Sequence, residues 1–292
     1  MIRTVWLASY PKSGNTWFRI VNASLSLDAD TPTDINDLPE RGGIASARGP
    51  FDHLTLIDSG LLTQDEIDCL RPRVYEELAG GAEDDLDSVI VSRVRLVKVH
   101  DAYTLTPLGE PLLAGAAGAQ AAIVIVRDPR AVAPSLANHN RSTIDEAIAF
   151  MNDPRASFSG SVRKQPSQLR QKLLDWSGHI RSWLDQRDIP VHLIRYEDLR
   201  ADPVARFHAA VTFAGREVTI PDVEKAVRVS DFATLQEQER ETGFREGPRE
   251  VTFFRRGQTD AWRDELSIDQ IARIEAAHAP MMERLGYELS RR

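Results

Sequence analysis

Four side chains able to handle charge and protons stand where apolar runs stop: Lys12 in YPKSGNTW, Lys98 and His100 in VKVH, and Arg127 in IVIVRDPR. Ammonium and guanidinium groups neutralise oxyanions, and an imidazole takes up a proton near neutral pH. Together they would put an anion site beside a proton acceptor. Singly, each has a plainer reading: a surface lysine in a turn, a satisfied structural histidine, an arginine at a helix cap. Composition weighs against the first of these. Lysine occurs only five times among 36 basic residues (Lys12, Lys98, Lys164, Lys172, Lys225), so Lys12 marks a place where a compact point charge suits better than a planar fork. It is followed by Ser13, Gly14, Asn15, Thr16 and Trp17. Gly14 permits backbone angles that a Cβ penalises, and the first N–H groups of a following helix form an anion cradle. The order is not that of the nucleotide loop G-x-x-x-x-G-K-[ST], because Lys12 precedes its glycine.

Positioning these groups requires strands that end together. Val5–Ala8, Val94–His100, Ala121–Arg127 and Val191–Tyr196 read as strands, and the third is continuously apolar, as a strand covered on both faces would be. Helical patterns lie between and after them. Asn15 to Leu27 carries Trp17, Ile20, Val21 and Leu25 near helical spacing; Thr63 to Glu66 forms a capping box with Leu62 and Ile67 as a staple, and Pro72 is expected to kink or split the helix that this box opens. Pro166 to Arg187 reads as one long amphipathic helix whose Trp176 and Trp183 belong to the core, and a last helix starts at Ser267 and stops at Gly286. Strands separated by helices imply parallel βαβ units. The expectation is a single α/β domain over 1–292, a central parallel sheet flanked by helices, with loop or lid insertions near 28–60, 140–165 and 236–252. In such sheets ligands sit at the carboxyl ends of strands. Ser135, Tyr196 with Glu197 and Asp198, and Arg255, Arg256 and Gly257 in FFRRGQTDAW are further groups bound for that edge.

Composition narrows the partners. A net charge of −8 argues against general affinity for nucleic acid or anionic membrane, so an anion site must be a local exception. The one cysteine, Cys69, cannot pair internally and fits a reducing cytoplasm; it reads as filling a helix face. The start lacks a secretory pattern, and the most apolar stretch, Pro111 to Val126, is too short and too polar to span a membrane.

The chain resembles cytosolic-type sulfotransferases that use 3′-phosphoadenosine 5′-phosphosulfate (PAPS). YPKSGNTW matches the 5′-phosphosulfate loop, RDPRAVAPSL the 3′-phosphate motif, VKVH the lysine-x-histidine, and RYEDL and RRGQTDAW two later signatures; VSDFATL resembles the segment that offers an aromatic to adenine. The resemblance implies a P-loop-NTPase-like sulfotransferase fold and transfer of a sulfuryl group to a hydroxyl or amine, leaving adenosine 3′,5′-bisphosphate (PAP), with no metal. It implies His100 as base, Lys12 stabilising the leaving phosphate, and Lys98 assisting or orienting the acceptor. Ser13, Gly14, Asn15 and Thr16 would hold the 5′-phosphate through backbone and hydroxyl donors. Arg127, Ser135, Arg255, Arg256 and Gly257 would hold the 3′-phosphate, with Trp17, Phe232 and Tyr196 at the adenine. Departures are Asn15 for threonine, Ala131 for aspartate, Arg256 for lysine, and Asp101 where a hydrophobic residue is usual. Asp101 sits beside the acceptor site in this reading and, with the polar loops, leans toward a carbohydrate or natural-product hydroxyl. Phe158, Met151 and His139 would also surround the acceptor, a small molecule, glycan or natural product. A Mg²⁺-dependent kinase-like enzyme and a non-catalytic nucleotide-binding protein are the rival readings. A homodimer is compatible with the chain.

Overall fold

The computed structural model describes residues 2–27, 30–38, 43–80, 93–160, 166–247 and 251–290. Strands β1 (Arg3–Ser9), β2 (Val94–Val99), β3 (Ala121–Val126) and β6 (Val191–Arg195) form one sheet in the order β2-β1-β3-β6, with every pairing parallel. The four strands read from the sequence match these within two residues at either end. A separate antiparallel pair, β4 (Ser157–Phe158) and β5 (Gln171–Lys172), lies outside that sheet.

Alternation along the central strands divides the core. Ala122, Val124 and Val126 of β3 enter one hydrophobic cluster with Trp6 and Ala8, while Ala121, Ile123 and Ile125 enter the other with Val5 and Leu7. Every side chain of β3 is at most 2% exposed, which explains a strand with no polar alternation. Helices cover both faces: α1 (Asn15–Leu27), α2 (Arg48–Thr55), α3 (Gln64–Gly80), α4 (Gly115–Gly118), α5 (Pro129–Asn140), α6 (Ile144–Met151), α7 (Trp176–Asp185), α8 (Tyr196–Ala201), α9 (Pro203–Phe213), α10 (Ile220–Val229), α11 (Phe232–Thr242), α12 (Trp262–Glu265) and α13 (Ile268–Arg284). The result is an α/β domain with a central parallel sheet, as expected. The chain leaves β1 for β2 on one side and reaches β3 on the other, so β1 and β3 flank a switch point.

Several local expectations change. Helix α3 opens on the Thr63–Glu66 capping box but runs through Pro72 without splitting. The long helix expected over Pro166 to Arg187 is only α7. Residues 166–175 are extended instead: Leu169 N–H donates to Ser46 O (2.7 Å), β5 pairs with β4, and Asp175 caps α7 by accepting from Gly178 N–H (2.7 Å). Leu169 and Leu173 are buried at 1% and 0%, so their apolar character is met by packing rather than by helix periodicity. The three intervals read as loops hold helices α2, α6 and most of α11; within them 28–29, 39–42, 161–165 and 248–250 lie outside the described residues.

A buried ionic network holds the end of β2 against α3 and β5. Asp101, 1% exposed, accepts from Arg71 Nη1 and Nη2 (3.1 and 2.7 Å) and from Lys172 N–H (2.9 Å). Asp68, fully buried, takes Lys172 Nζ at 2.9 Å and Arg170 besides. Asp101→Ala takes the bidentate partner from fully buried Arg71, leaving Asp68 Oδ1 at 3.4 Å as its carboxylate, and is expected to cost about 3–5 kcal/mol. Urea unfolding at neutral pH checks this through a lower midpoint at an unchanged slope; a midpoint equal to wild type would refute the network's structural weight.

Candidate active site

The loop after β1 is built around two left-handed residues. Lys12 has φ 69° and Gly14 φ 103°. A non-glycine residue there is strained and persists only when its surroundings hold it. Asn15, the first residue of α1, supplies part of that hold: its Nδ2 donates to Leu7 O (3.0 Å) and Ser9 Oγ (3.3 Å), stapling the helix start to β1. A Cβ on Gly14 would stand 2.5 Å from Tyr196 Cδ2, so the ring's approach as well as the dihedral requires glycine.

From the end of β3, Arg127 bridges the switch point. Its Nη1 donates to Lys12 O (3.1 Å), its Nη2 to Gln258 O (3.1 Å), and the guanidinium lies 4.6 Å over the Tyr196 ring. Gly257, at φ 63°, packs so closely on Phe232 that a Cβ would meet its ring at 2.7 Å. Four loops distant in sequence thus meet at one sheet edge.

On the neighbouring strand Lys98 and His100 share a face. His100 Nδ1 lies 2.8 Å from Ser9 O. A carbonyl can only accept, so Nδ1 carries the hydrogen and Nε2 is left as the basic nitrogen. Burial, and next the positive charge of Lys98, hold this imidazole well below its usual pKa, and it is neutral at pH 7. Lys98 Nζ pairs with Glu246 Oε2 (3.1 Å), which also receives a bidentate grip from Arg19 (2.8 and 2.6 Å). Burial raises the Glu246 carboxyl, but Arg19 and Lys98 bring it down to about 2.

These groups line one solvent-open cavity. Of the fifteen site residues expected from sequence, fourteen line it: Lys12, Gly14, Asn15, Thr16, Trp17, Lys98, His100, Arg127, Ser135, Tyr196, Phe232, Arg255, Arg256 and Gly257. Ser13 does not. Its side chain is fully buried and its hydroxyl has no partner, so only its backbone remains a candidate donor. Asn15 is likewise committed through its side chain to β1. Trp17 donates its Nε1–H to Ser230 O (2.9 Å) and Tyr196 its hydroxyl to Gly257 O (3.4 Å). Arg255 is held by Glu265 (2.5 and 3.1 Å), with Arg256 at 3.6 Å from the same carboxylate.

Lys12 Nζ rests 3.6 Å above the centre of the Phe253 ring. Burial first, then Arg127 and Lys98, lower its pKa to about 7. Burial first, then the charges of Lys12 and Lys98, lower His139 to about 4. The cavity lining holds five cations against two carboxylates, an excess that favours a multiply charged anion.

Sequence reasoning missed Arg19, Glu246, Glu265, Gln168, Gln171 and the part played by Phe253. Nothing local marks Glu246 or Gln171, whereas Phe253 stands inside FFRRGQTDAW. His139 and Phe158 do line the cavity, but Met151 is fully buried in the core. Asp101 does not line it either: its carboxylate faces Arg71, so it cannot read an acceptor, and the lean toward a polar acceptor loses that support.

A parallel α/β sheet thus brings a cationic loop and a neutral imidazole to one cavity at its switch point. Comparison then gives the family. The sulfotransferase domain family model matches residues 117–286, more than half of the chain, and the chain belongs to that family. Sulfotransferase 1A1 of Rattus norvegicus is 26% identical over 114 residues, covering 37% of this chain and 39% of that relative's length. Luciferin sulfotransferase of Photinus pyralis is 22% identical over 279 residues, covering 92% of this chain and 69% of that one. Among solved structures, retinol dehydratase in complex with androsterone and inactive cofactor PAP superposes with a TM-score of 0.58 at 17% identity, covering 100% of this chain and 84% of that chain, a likeness of fold.

Proposed function

We propose that this chain transfers a sulfuryl group from PAPS to a hydroxyl or amine of a small acceptor, with His100 taking the acceptor's proton at Nε2 and Lys12 neutralising charge on the departing phosphate. The observation that carries the reading is the shared cavity: a base whose tautomer is set by Ser9 O opens onto the same space as Lys12 and Arg127.

The lining suits a doubly phosphorylated nucleoside. Gly14 and Gly257 let the Tyr196 and Phe232 rings pack directly on the loop backbones, Arg127 Nε is buried without a partner, and Trp17, Tyr196 and Phe232 give flat surfaces for a base. Gly14, Thr16 and the backbone of Ser13 would hold the 5′ side; Arg127, Ser135, Arg255 and Arg256 would hold the 3′-phosphate, where guanidinium forks match oxyanion geometry. When bound, the donor supplies an activated sulfuryl group. The chain's own work is positioning and electrostatics, as in phosphoryl transfer. Lys98 stands between Glu246 and His100's face of β2, where it tunes the base and orients the acceptor.

A thermal-shift titration tests the reading. At about a hundred times Kd, a ligand bound only by the folded state stabilises by about 2.7 kcal/mol, a shift of several degrees for a domain of this size. PAP is expected to produce that shift and ATP with Mg²⁺ is not. Arg127→Ala is expected to remove the response to PAP. Preference for ATP would point to a kinase-like site, and an unchanged PAP response in Arg127→Ala would remove that residue from the nucleotide's grip.

A further inference from the structure

The geometry points to Gln171 as a specificity-determining residue. Its buried amide oxygen reads a second hydrogen-bond donor on the acceptor, so the preferred acceptors are flat, apolar-bodied molecules that carry another hydroxyl or N–H beside the group that reacts. This rests on the sulfuryl-transfer reading above and deepens it.

The β4–β5 pair explains where the side chain goes. Gln171 stands directly opposite Phe158, and cross-strand partners share a face. Both line the cavity, while the alternate residue Lys172 turns the other way and ion-pairs with Asp68 at 2.9 Å. The strand is pinned: Lys172 N–H donates to Asp101 Oδ1 (2.9 Å), Ala102 N–H to Lys172 O (2.7 Å), and Leu173 N–H to Ala156 O (2.9 Å). These bonds join Gln171 to the segment that directly follows His100, which fixes its place relative to the base.

Gln171 is 2% exposed, and its Nε2 donates to Gln168 Oε1 at 2.5 Å. Its Oε1 has no partner. Buried polar atoms are almost always paired, and one left unpaired at a ligand cavity is a request for a donor. Another group on the lining is left the same way: His139 Nδ1 is also without a partner. Ile44, Phe158 and Phe253 complete the walls and favour a flat apolar body. A site built to satisfy a substrate hydroxyl discriminates against the analogue that lacks it, because the amide oxygen then stays desolvated and unpaired.

The probes are positional isomers of dihydroxynaphthalene, each compared with its own mono-methyl ether, and the readout is calorimetric binding to the full chain saturated with PAP. In the wild type at least one isomer is expected to bind about ten- to a hundredfold tighter than its ether. In Gln171→Met, which keeps volume and removes the acceptor, that ratio is expected to fall to about one while PAP affinity is retained. The wild-type pairs decide the matter even if the variant does not fold. Intact PAP binding with no isomer exceeding its ether, or a ratio that survives in Gln171→Met, overturns the inference and leaves sulfuryl transfer standing. Failure to bind PAP at all overturns both.

Discussion

Replacing His100 with alanine is expected to lower kcat by about two to three powers of ten, the range of a single positioned acid–base group, while the affinity for PAP stays as in the wild type. The split follows from where His100 sits. Its ring touches Ser9 and faces the cavity from the end of β2, whereas the cations proposed to hold the nucleotide stand in the loops after β1 and β3. The pH profile gives an independent check. The imidazole of a free histidine titrates near 6.5, but here burial and Lys98 hold it lower. The acidic limb of kcat in the wild type is therefore expected below pH 6.5, and it should vanish in His100→Ala. A variant that turns over at the wild-type rate, or a wild-type acidic limb at or above 6.5, removes His100 as the base.

Much of this site is legible in the sequence because its parts obey local rules. A continuously apolar β3 announces a strand buried on two faces, and the groups that follow each strand must then share one edge. What local rules cannot show is which partner wins when two structures are open to a segment. Leu169, Leu173, Trp176 and Ile180 keep a helical stripe, yet the first two serve an extended run, because Ser46 O and β4 offer the backbone hydrogen bonds. Helix α6 was legible in principle, since Thr143 and Glu146 form a reciprocal capping box, but the polar flanks hid it. Asp101 shows the same limit at the site. Its neighbour in sequence, His100, faces the cavity, whereas Asp101, in the bend just past the end of β2, turns into Arg71. Glu246 is the reverse case: an unremarkable acid in a polar stretch that long-range pairing with Arg19 and Lys98 brings to the base.

Lys12→Met is expected to abolish most turnover, by about two to three powers of ten, and at the same time to stabilise the nucleotide-free protein at pH 7. Both effects have one cause. Burial, Arg127 and Lys98 lower the ammonium's pKa to about 7, against 10.5 in the unfolded chain. Between those values the unfolded state binds a proton that the folded state has given up, so stability rises with pH across the window. Below pH 7 the folded protein carries the full penalty of a crowded, desolvated cation, and methionine removes it. The gain in melting temperature for Lys12→Met should thus be greatest at pH 7 and below, and should fade by pH 10.5. A bound bis-phosphate reverses the balance by favouring the ammonium. PAP binding above pH 7 must then take up a proton, and affinity is expected to weaken by up to about tenfold per pH unit, a slope absent in Lys12→Met. Calorimetry in buffers of different ionisation enthalpy would register that uptake directly. A PAP affinity that is flat from pH 7 to 9 in the wild type would show that Lys12 does not face the nucleotide's charge. The strain at φ 69° and the seat on Phe253 would then be features of the loop alone.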